Sequence, residues 1–337
     1  LKKFQKEQNE NNIESAGFNM KNKTTSLAII IAVQLFLLTN EVPAQLKPIL
    51  KQTYTLSGER TKEPQCFILE TILTNYNLNG TITGKDVLKL YLKCIPQESN
   101  GNNTYKYSCR KFSIKQGDSG EVTIPALENW SYLFGNNPNG YDEKGQVFGI
   151  DHAKFEKLTD NLGNPVSQNM SYWVYNSFID FHGFCNVFAE PVTGGKGIQN
   201  LKEINQKIIH ASANTEAPVN LGSNVSEGSY FKNGEITLAF TGISLVNDAA
   251  CAIINFDSGE SSFKMKMTVA PGMDITTTGS SHYKGNIYIN TNTFWVEKVV
   301  MDEFVLSETT VPGQPDKINS VTGRNTIIYN VDGKEFL

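Results

Sequence analysis

Only four histidines occur in the 337 residues, and each has polar or small neighbours: Asp151-His152, Asp180-Phe181-His182, His210-Ala211-Ser212 and Ser280-Ser281-His282-Tyr283. Imidazole and carboxylate together form the donor set that a divalent zinc or iron ion takes. If residues 180 to 182 are extended, Asp180 and His182 share a face, because side chains two apart in a strand are co-facial. With His152 and His282 they would make a divalent metal centre, the imidazoles as ligands and the aspartate as ligand or base. Scattered histidines also serve as surface or hydrogen-bonded structural residues. HExxH, CxxC and HxH are all absent from the sequence.

Other catalytic chemistry has less to build on. The Gly-x-Ser-x-Gly nucleophile turn is absent, and Gly279-Ser280-Ser281-His282 reads as a turn before a strand. Cys185, beside Asn186 and near His182, has the composition of a thiol nucleophile, although a disulfide to Cys251 is the simpler role in an oxidising compartment. Asp142-Glu143 and Asp180 are carboxylates of the kind that glycoside hydrolysis pairs. No phosphate-cradling or dinucleotide glycine spacing occurs; Thr193-Gly194-Gly195-Lys196-Gly197 has neither.

The second candidate site is aromatic. Between Tyr172 and Phe188 the chain carries Trp173, Tyr175, Phe178, Phe181 and Phe184. Such rings are core when buried, and when exposed they stack on sugars or line a lipid cavity. Tyr172, Trp173, Phe178 and Phe181 are the expected ligand-facing set. The sequence leaves open whether this stretch is strand or helix.

These groups must be positioned by β-structure. Strand-like runs fall at residues 67–73, 80–82, 87–94, 105–114 and 121–124, then again at 235–240, 252–256, 262–268, 285–289, 294–301 and 326–331. In residues 87–94, Leu88, Leu90, Leu92 and Cys94 alternate with Val87, Lys89, Tyr91 and Lys93, an apolar face against an amphipathic one. Asn79-Gly80, Gly117-Asp118-Ser119-Gly120, Asp257-Ser258-Gly259 and Pro271-Gly272 separate the runs. The middle of the chain differs. Residues 152–158 suggest a short helix, and Ile198, Leu201, Ile204 and Ile208 fall on one face of a helical wheel. The expected fold is therefore mainly β: an antiparallel sheet, open or half-closed and barrel-like, with a short mixed α and irregular middle segment.

The rhythm Gly285-Asn286-Ile287-Tyr288-Ile289-Asn290, turn, Trp295-Val296-Glu297-Lys298-Val299-Val300-Met301 resembles the half-barrel of periplasmic lipoprotein and lipid carriers, over less than a third of the chain.

Residues 20–44, MKNKTTSLAIIIAVQLFLLTNEVPA, read as a secretory signal peptide. Lys21 and Lys23 form a basic start, residues 26–38 an apolar core, and Val42-Pro43-Ala44 a cleavage site before Gln45. The apolar run is short of the roughly 20 residues of a membrane span, so no transmembrane anchor is expected after cleavage. Residues 1–19 read as an upstream segment outside the fold. The remainder divides into an N-terminal β region (45–133), an aromatic-rich middle (134–228) and a C-terminal β region (229–337), and 45–337 also reads as one domain.

Formal net charge is −4 with 19% charged residues. No basic cluster fit to neutralise phosphates appears, which disfavours nucleic acid as a partner. All five cysteines, Cys66, Cys94, Cys109, Cys185 and Cys251, follow residue 45. Cys94 and Cys109 flank the Asn-rich loop 97–104 and are the expected disulfide, closing a loop of about 15 residues for roughly 3 kcal/mol. The reading is an exported, secreted or periplasmic, non-enzymatic β-protein that binds a hydrophobic, lipid-like molecule or a glycan in a barrel-like concavity. The alternatives are a secreted metal-assisted enzyme using the Asp/His set, and a structural envelope or surface protein.

Overall fold

The computed structural model describes residues 52–97, 104–135, 146–217, 228–270 and 273–336. The upstream segment 1–19, the signal peptide 20–44, Asp142-Glu143 and most of the loop between Cys94 and Cys109 lie outside the described residues. Residues 53–337 cluster as one unit.

Its strands, in chain order, are β1 (Gln65–Tyr76), β2 (Ile82–Gln97), β3 (Thr104–Gln116), β4 (Val122–Thr123), β5 (Ser131–Gly135), β6 (Lys207–Ile209) and β7 (Tyr230–Lys232). They continue with β8 (Thr237–Val246), β9 (Ala249–Asp257), β10 (Ser261–Ala270), β11 (Met273–Asn290), β12 (Val296–Thr310) and β13 (Ile318–Val331). All belong to one antiparallel sheet whose main order is β4-β3-β2-β1-β13-β12-β11-β9-β8-β6, with β5 on β3, β10 on β11 and β7 on β10. The two ends of the path do not pair, so the sheet is open. This is the mainly β, open antiparallel fold that the alternating runs imply.

Period-two patterning fixes which face turns inward. Leu88, Leu90, Leu92 and Cys94 of β2 are fully buried, and their register against β1 places them level with Thr71, Leu69, Phe67 and Gln65. On the outward face, Lys89 bridges Glu70 at 2.8 Å. Further round, Ile287 and Ile289 of β11, Val299 and Met301 of β12 and Ile328 of β13 continue the dry inner surface. A one-residue slip in any of these strands would send its apolar set to water, so the register is strongly specified.

The inner surface of the lower half is covered by α1 (Gln168–His182). Ser167 caps it, accepting a hydrogen bond from the Met170 amide at 3.2 Å. Met170, Val174, Phe178 and Phe181 follow helical spacing and bury one face. Phe181 meets Phe67 edge-on at 5.0 Å, and Phe178 packs among Phe112, Trp130 and Phe155. A π-helical turn (Gly183–Val187) extends α1. The aromatic stretch is thus helix, an outcome its composition alone left open.

Three expectations need correction. The helix over Ile198, Leu201, Ile204 and Ile208 does not form: a single 3-10 turn (Ile198–Asn200) is followed by β6, and Asn205 at φ 71° breaks the periodic run between them. The helix at 152–158 shortens to a 3-10 turn (His152–Phe155) capped by Asp151. The Cys94–Cys109 disulfide is absent, and all five cysteines are free and buried. In the β2–β3 hairpin Cys94 stands opposite Tyr107, while Cys109 stands opposite Leu92 just past a bulge. That diagonal separates Cα atoms by roughly 7–8 Å, beyond the ordinary disulfide range of about 4.4–6.8 Å. Burial pushes both thiols up to about 12, so they pack as small apolar side chains.

Candidate functional site: a groove between helix and sheet

The strands that continue past the end of α1 leave their inner face uncovered. Between that face and the outer side of the helix runs a groove of about 1880 Å³. Tyr172, Trp173, Asn176 and Asp180 of α1 form its helical wall. They lie on the face opposite Val174, Phe178 and Phe181, which is why these half-buried polar and aromatic side chains survive on a helix otherwise committed to the core.

At the bottom of the groove stands a charged cluster. Arg324 of β13 is paired with Glu303 of β12, its register partner, with Nε 2.5 Å from Oε2, and its Nη1 donates to Asp180 of α1. Ser281 of β11 donates to the other Glu303 oxygen at 2.5 Å. The guanidinium lies 5.7 Å from the centre of the Trp173 ring. Arg324, Glu303 and Asp180 side chains are only 7%, 5% and 11% exposed, so one cation serves two nearly dry carboxylates. Burial pushes Asp180 up to about 6 against the pull of Arg324, and the neighbouring Glu303 charge adds to the rise. The cluster ties helix to sheet and marks the boundary between the apolar core below and the open groove above.

Above it, the inner face changes character strand by strand. On β7 and β10 it carries Phe231, Phe263, Met265 and Met267. The rings of Phe231 and Phe263 are stacked at 6.5 Å. Phe263 faces Gly279 of β11, where a Cβ would come within 2.5 Å of the ring and 2.3 Å of the Leu306 carbonyl. Glycine here makes room for the aromatic edge. On β11 to β13 the same face carries Thr277, Ser307, Thr309, Ser320 and Thr322. Thr277 and Thr309 share a hydrogen bond at 2.9 Å, and Thr322 donates to Asn75 of β1 at 3.2 Å.

The sequence-predicted ligand aromatics divide. Tyr172 and Trp173 line the groove, whereas Phe178 and Phe181 are wholly buried in the core below it. The predicted metal set does not assemble. Asp180 and His182 sit about 200° apart on α1, where a strand would have made them co-facial. Asp180 is engaged by Arg324. His182 is fully buried with both ring nitrogens occupied, Nε2 2.7 Å from the Tyr132 hydroxyl and Nδ1 3.2 Å from Asn186 Oδ1. Burial pushes its pKa down to about 3, so the ring is neutral. His282 points to the outer face and meets Asp257 at 2.8 Å. His152 lies edge-on to Tyr175 with Glu156 at 4.0 Å. Among the described residues no group of three or more His, Cys, Asp or Glu is placed to hold a metal ion.

Cys185 is not an activated thiol. Burial raises its pKa, and its carbonyl accepts from Arg60 at 2.5 Å. Arg60 also pairs with Glu190 at 2.6 Å, Glu190 accepts from Asn186 at 2.9 Å, and Asn186 reaches Tyr107 and His182. This line of buried polar groups crosses the core from the segment preceding β1 to α1, with Asn186 in the π-helical turn and Glu190 just beyond it. Its satisfied hydrogen bonds give it a structural role.

No family model matches the sequence, and no curated protein matches it. Solved structures that align with it include outer-membrane channels. Salmonella typhi OmpF in complex with daunomycin is 8% identical, over 80% of this chain and 97% of that one, at a TM-score of 0.19. Pseudomonas aeruginosa OpdQ is 9% identical over 81% and 99% at 0.16, and an outer-membrane channel from Pseudomonas putida F1 is 8% identical over 80% and 97% at 0.15. Scores this low describe no shared fold. Among the described residues no helix is long and apolar enough to cross a membrane.

Proposed function

We propose that the chain is an exported, secreted or periplasmic protein that binds a hydrophobic, lipid-like molecule or a glycan in the groove between α1 and the open sheet, and performs no chemistry on it. The observation that carries this reading is the groove itself. Its volume of about 1880 Å³ exceeds the roughly 300–1,000 Å³ of ordinary small-molecule sites. Its lining joins large aromatic and thioether side chains to hydroxyls, the mixture that fixes a ligand by apolar contact and orients it by hydrogen bonds. Of the residues expected to supply metal chemistry, Asp180, His182 and His282 are each engaged by a partner of their own, and His152 stands apart from them on the groove wall. The reading of residues 20–44 as a signal peptide supports export.

The test is native mass spectrometry of the chain from residue 45, purified from an exporting host without chelator. A stoichiometric adduct of lipid or glycan mass, lost on denaturation, is the expected result. A stoichiometric metal adduct, or a bare polypeptide that also takes up no apolar probe, would overturn the reading.

A further inference from the structure

The uncovered inner face is chemically split along a line parallel to the strands. Register places the rows side by side: Phe231 opposite Phe263, Met265 opposite Thr277, Thr277 opposite Thr309, Ser307 opposite Ser320 and Val305 opposite Thr322. Moving from β7 to β1 therefore crosses two lanes. The first, on β7 and β10, is aromatic and thioether, with Lys264 also lining the groove there. The second, on β11 to β13 and reaching Asn75 of β1, is almost entirely hydroxyl and amide. At about 4.8 Å per strand, the first lane is roughly 10 Å wide and the second roughly 14 Å. Neither lane is filled by the protein: Phe263, Met265, Met267, Thr277, Ser307 and Thr309 are all half-buried, while the residues below them in the same sheet are dry.

A purely aliphatic ligand lying across this face would desolvate the lane's hydroxyls and satisfy none of the bonding capacity left beyond the Thr277–Thr309 and Thr322–Asn75 hydrogen bonds, and each unmade hydrogen bond costs affinity. A free sugar would leave Met265, Met267 and the Phe231–Phe263 stack in water. An anionic head would meet, at the foot of the hydroxyl lane, a cluster in which two carboxylates share one guanidinium. We propose that the groove takes an amphiphile, with an uncharged, hydroxyl-bearing head on the β11–β13 lane and an aliphatic chain along β7 and β10. The inference rests on the ligand-binding reading above and names the class of molecule that reading admits. Methionines on the chain side suit it, because their flexible thioethers adapt to an unbranched chain.

Isothermal titration of the chain from residue 45, below micellar concentrations, separates the possibilities with three probes: dodecyl maltoside, maltose and dodecanoate. Dodecyl maltoside is expected to bind at least about tenfold more tightly than dodecanoate, the factor that one good head-group hydrogen bond supplies, and maltose to show no saturation in the same range. Two variants assign the lanes. Thr309→Val, close in shape, should weaken dodecyl maltoside several-fold and leave dodecanoate unchanged. Met265→Gln should weaken both. Maltose binding as tightly as dodecyl maltoside, or dodecanoate binding as tightly, overturns the amphiphile inference while the groove remains a ligand site. Failure of all three probes, together with failure of a neutral apolar dye to bind, removes the ligand-binding reading itself.

Discussion

Replacing Asp180 by Asn should stabilise the protein near neutral pH, although it removes one partner of a buried ion pair. In the native state burial and the Glu303 charge hold Asp180 at about 6, against about 3.9 for an unperturbed Asp. Ionising it in the folded protein therefore costs about 3 kcal/mol more than in the unfolded chain. The sign follows from proton counts. Between about pH 4 and 6 the native state holds a proton that the unfolded state has lost. This group's stabilising contribution is thus complete below about pH 4 and disappears as pH rises through 6. Asn keeps the neutral, hydrogen-bonding shape at every pH, and Arg324 retains Glu303 as its counter-ion. Because the value of about 6 already contains the pull of Arg324, Asp180→Asn should gain about 3 kcal/mol at pH 8 and nothing at pH 4. Urea unfolding of both proteins at the two pH values measures this directly. A variant less stable than wild type by 1 kcal/mol or more at pH 8 would show that the Arg324 attraction outweighs the burial, and would refute the reasoning.

Arg324→Met should cost about 3–5 kcal/mol in the same assay at pH 8, because it leaves Glu303 and Asp180 buried without a cation; a loss under 1 kcal/mol would mean the cluster is solvated. The lowered pKa of His182, about 3, works in the opposite sense to Asp180. Its contribution is complete above about pH 6.5 and declines as pH falls, by roughly 2–3 kcal/mol at pH 4.5, so His182→Gln should show a smaller drop in Tm between pH 7 and 4.5 than wild type does. Thiol titration of denatured, unreduced protein from an exporting host should count five free thiols per chain, where a count of three would restore a disulfide. Gly279→Val should destabilise by about 1–3 kcal/mol through overpacking against Phe263 and the Leu306 carbonyl, and an unchanged urea midpoint would show that this part of the sheet yields freely.

The lower half of the molecule was legible because its strands obey one rule. Leu88-Lys89-Leu90-Tyr91-Leu92 alternates between a dry core and water, and period two then announces both the strand and its inward face. The upper half escaped the same reasoning. In Val305-Leu306-Ser307-Glu308-Thr309 the inner face turns to hydroxyls after Val305 and the outer face carries Leu306, 53% exposed, so the hydrophobic signal that ends the predicted strand at Met301 ends with the core and not with the hydrogen-bonded ladder. The groove consists of those overlooked extensions. Asp180 and His182 show a second limit. Their shared face depended on an extended backbone, and the helical pattern of Met170, Val174, Phe178 and Phe181 was masked by aromatics on every side. Arg324 carried no local sign at all. Its role comes from pairing β12 with β13 and from α1 lying across both, contacts 21 and 144 residues apart in the chain. The cysteines failed for a simpler reason. The hairpin's midpoint was placed from sequence symmetry, whereas the turn pairs Gln97 with Thr104, a register that sets Cys94 against Tyr107 and Cys109 against Leu92.

The central claim is that the uncovered inner face is a binding site, and a neutral apolar dye tests it most directly. N-phenyl-1-naphthylamine fluorescence should rise saturably, with one dye per chain, in protein beginning at residue 45. Ser307→Trp, which fills the groove from a half-buried position and leaves the core untouched, should abolish that rise while its urea midpoint stays at the wild-type value. Equal saturable binding by both proteins, or none by the wild type, would contradict the account.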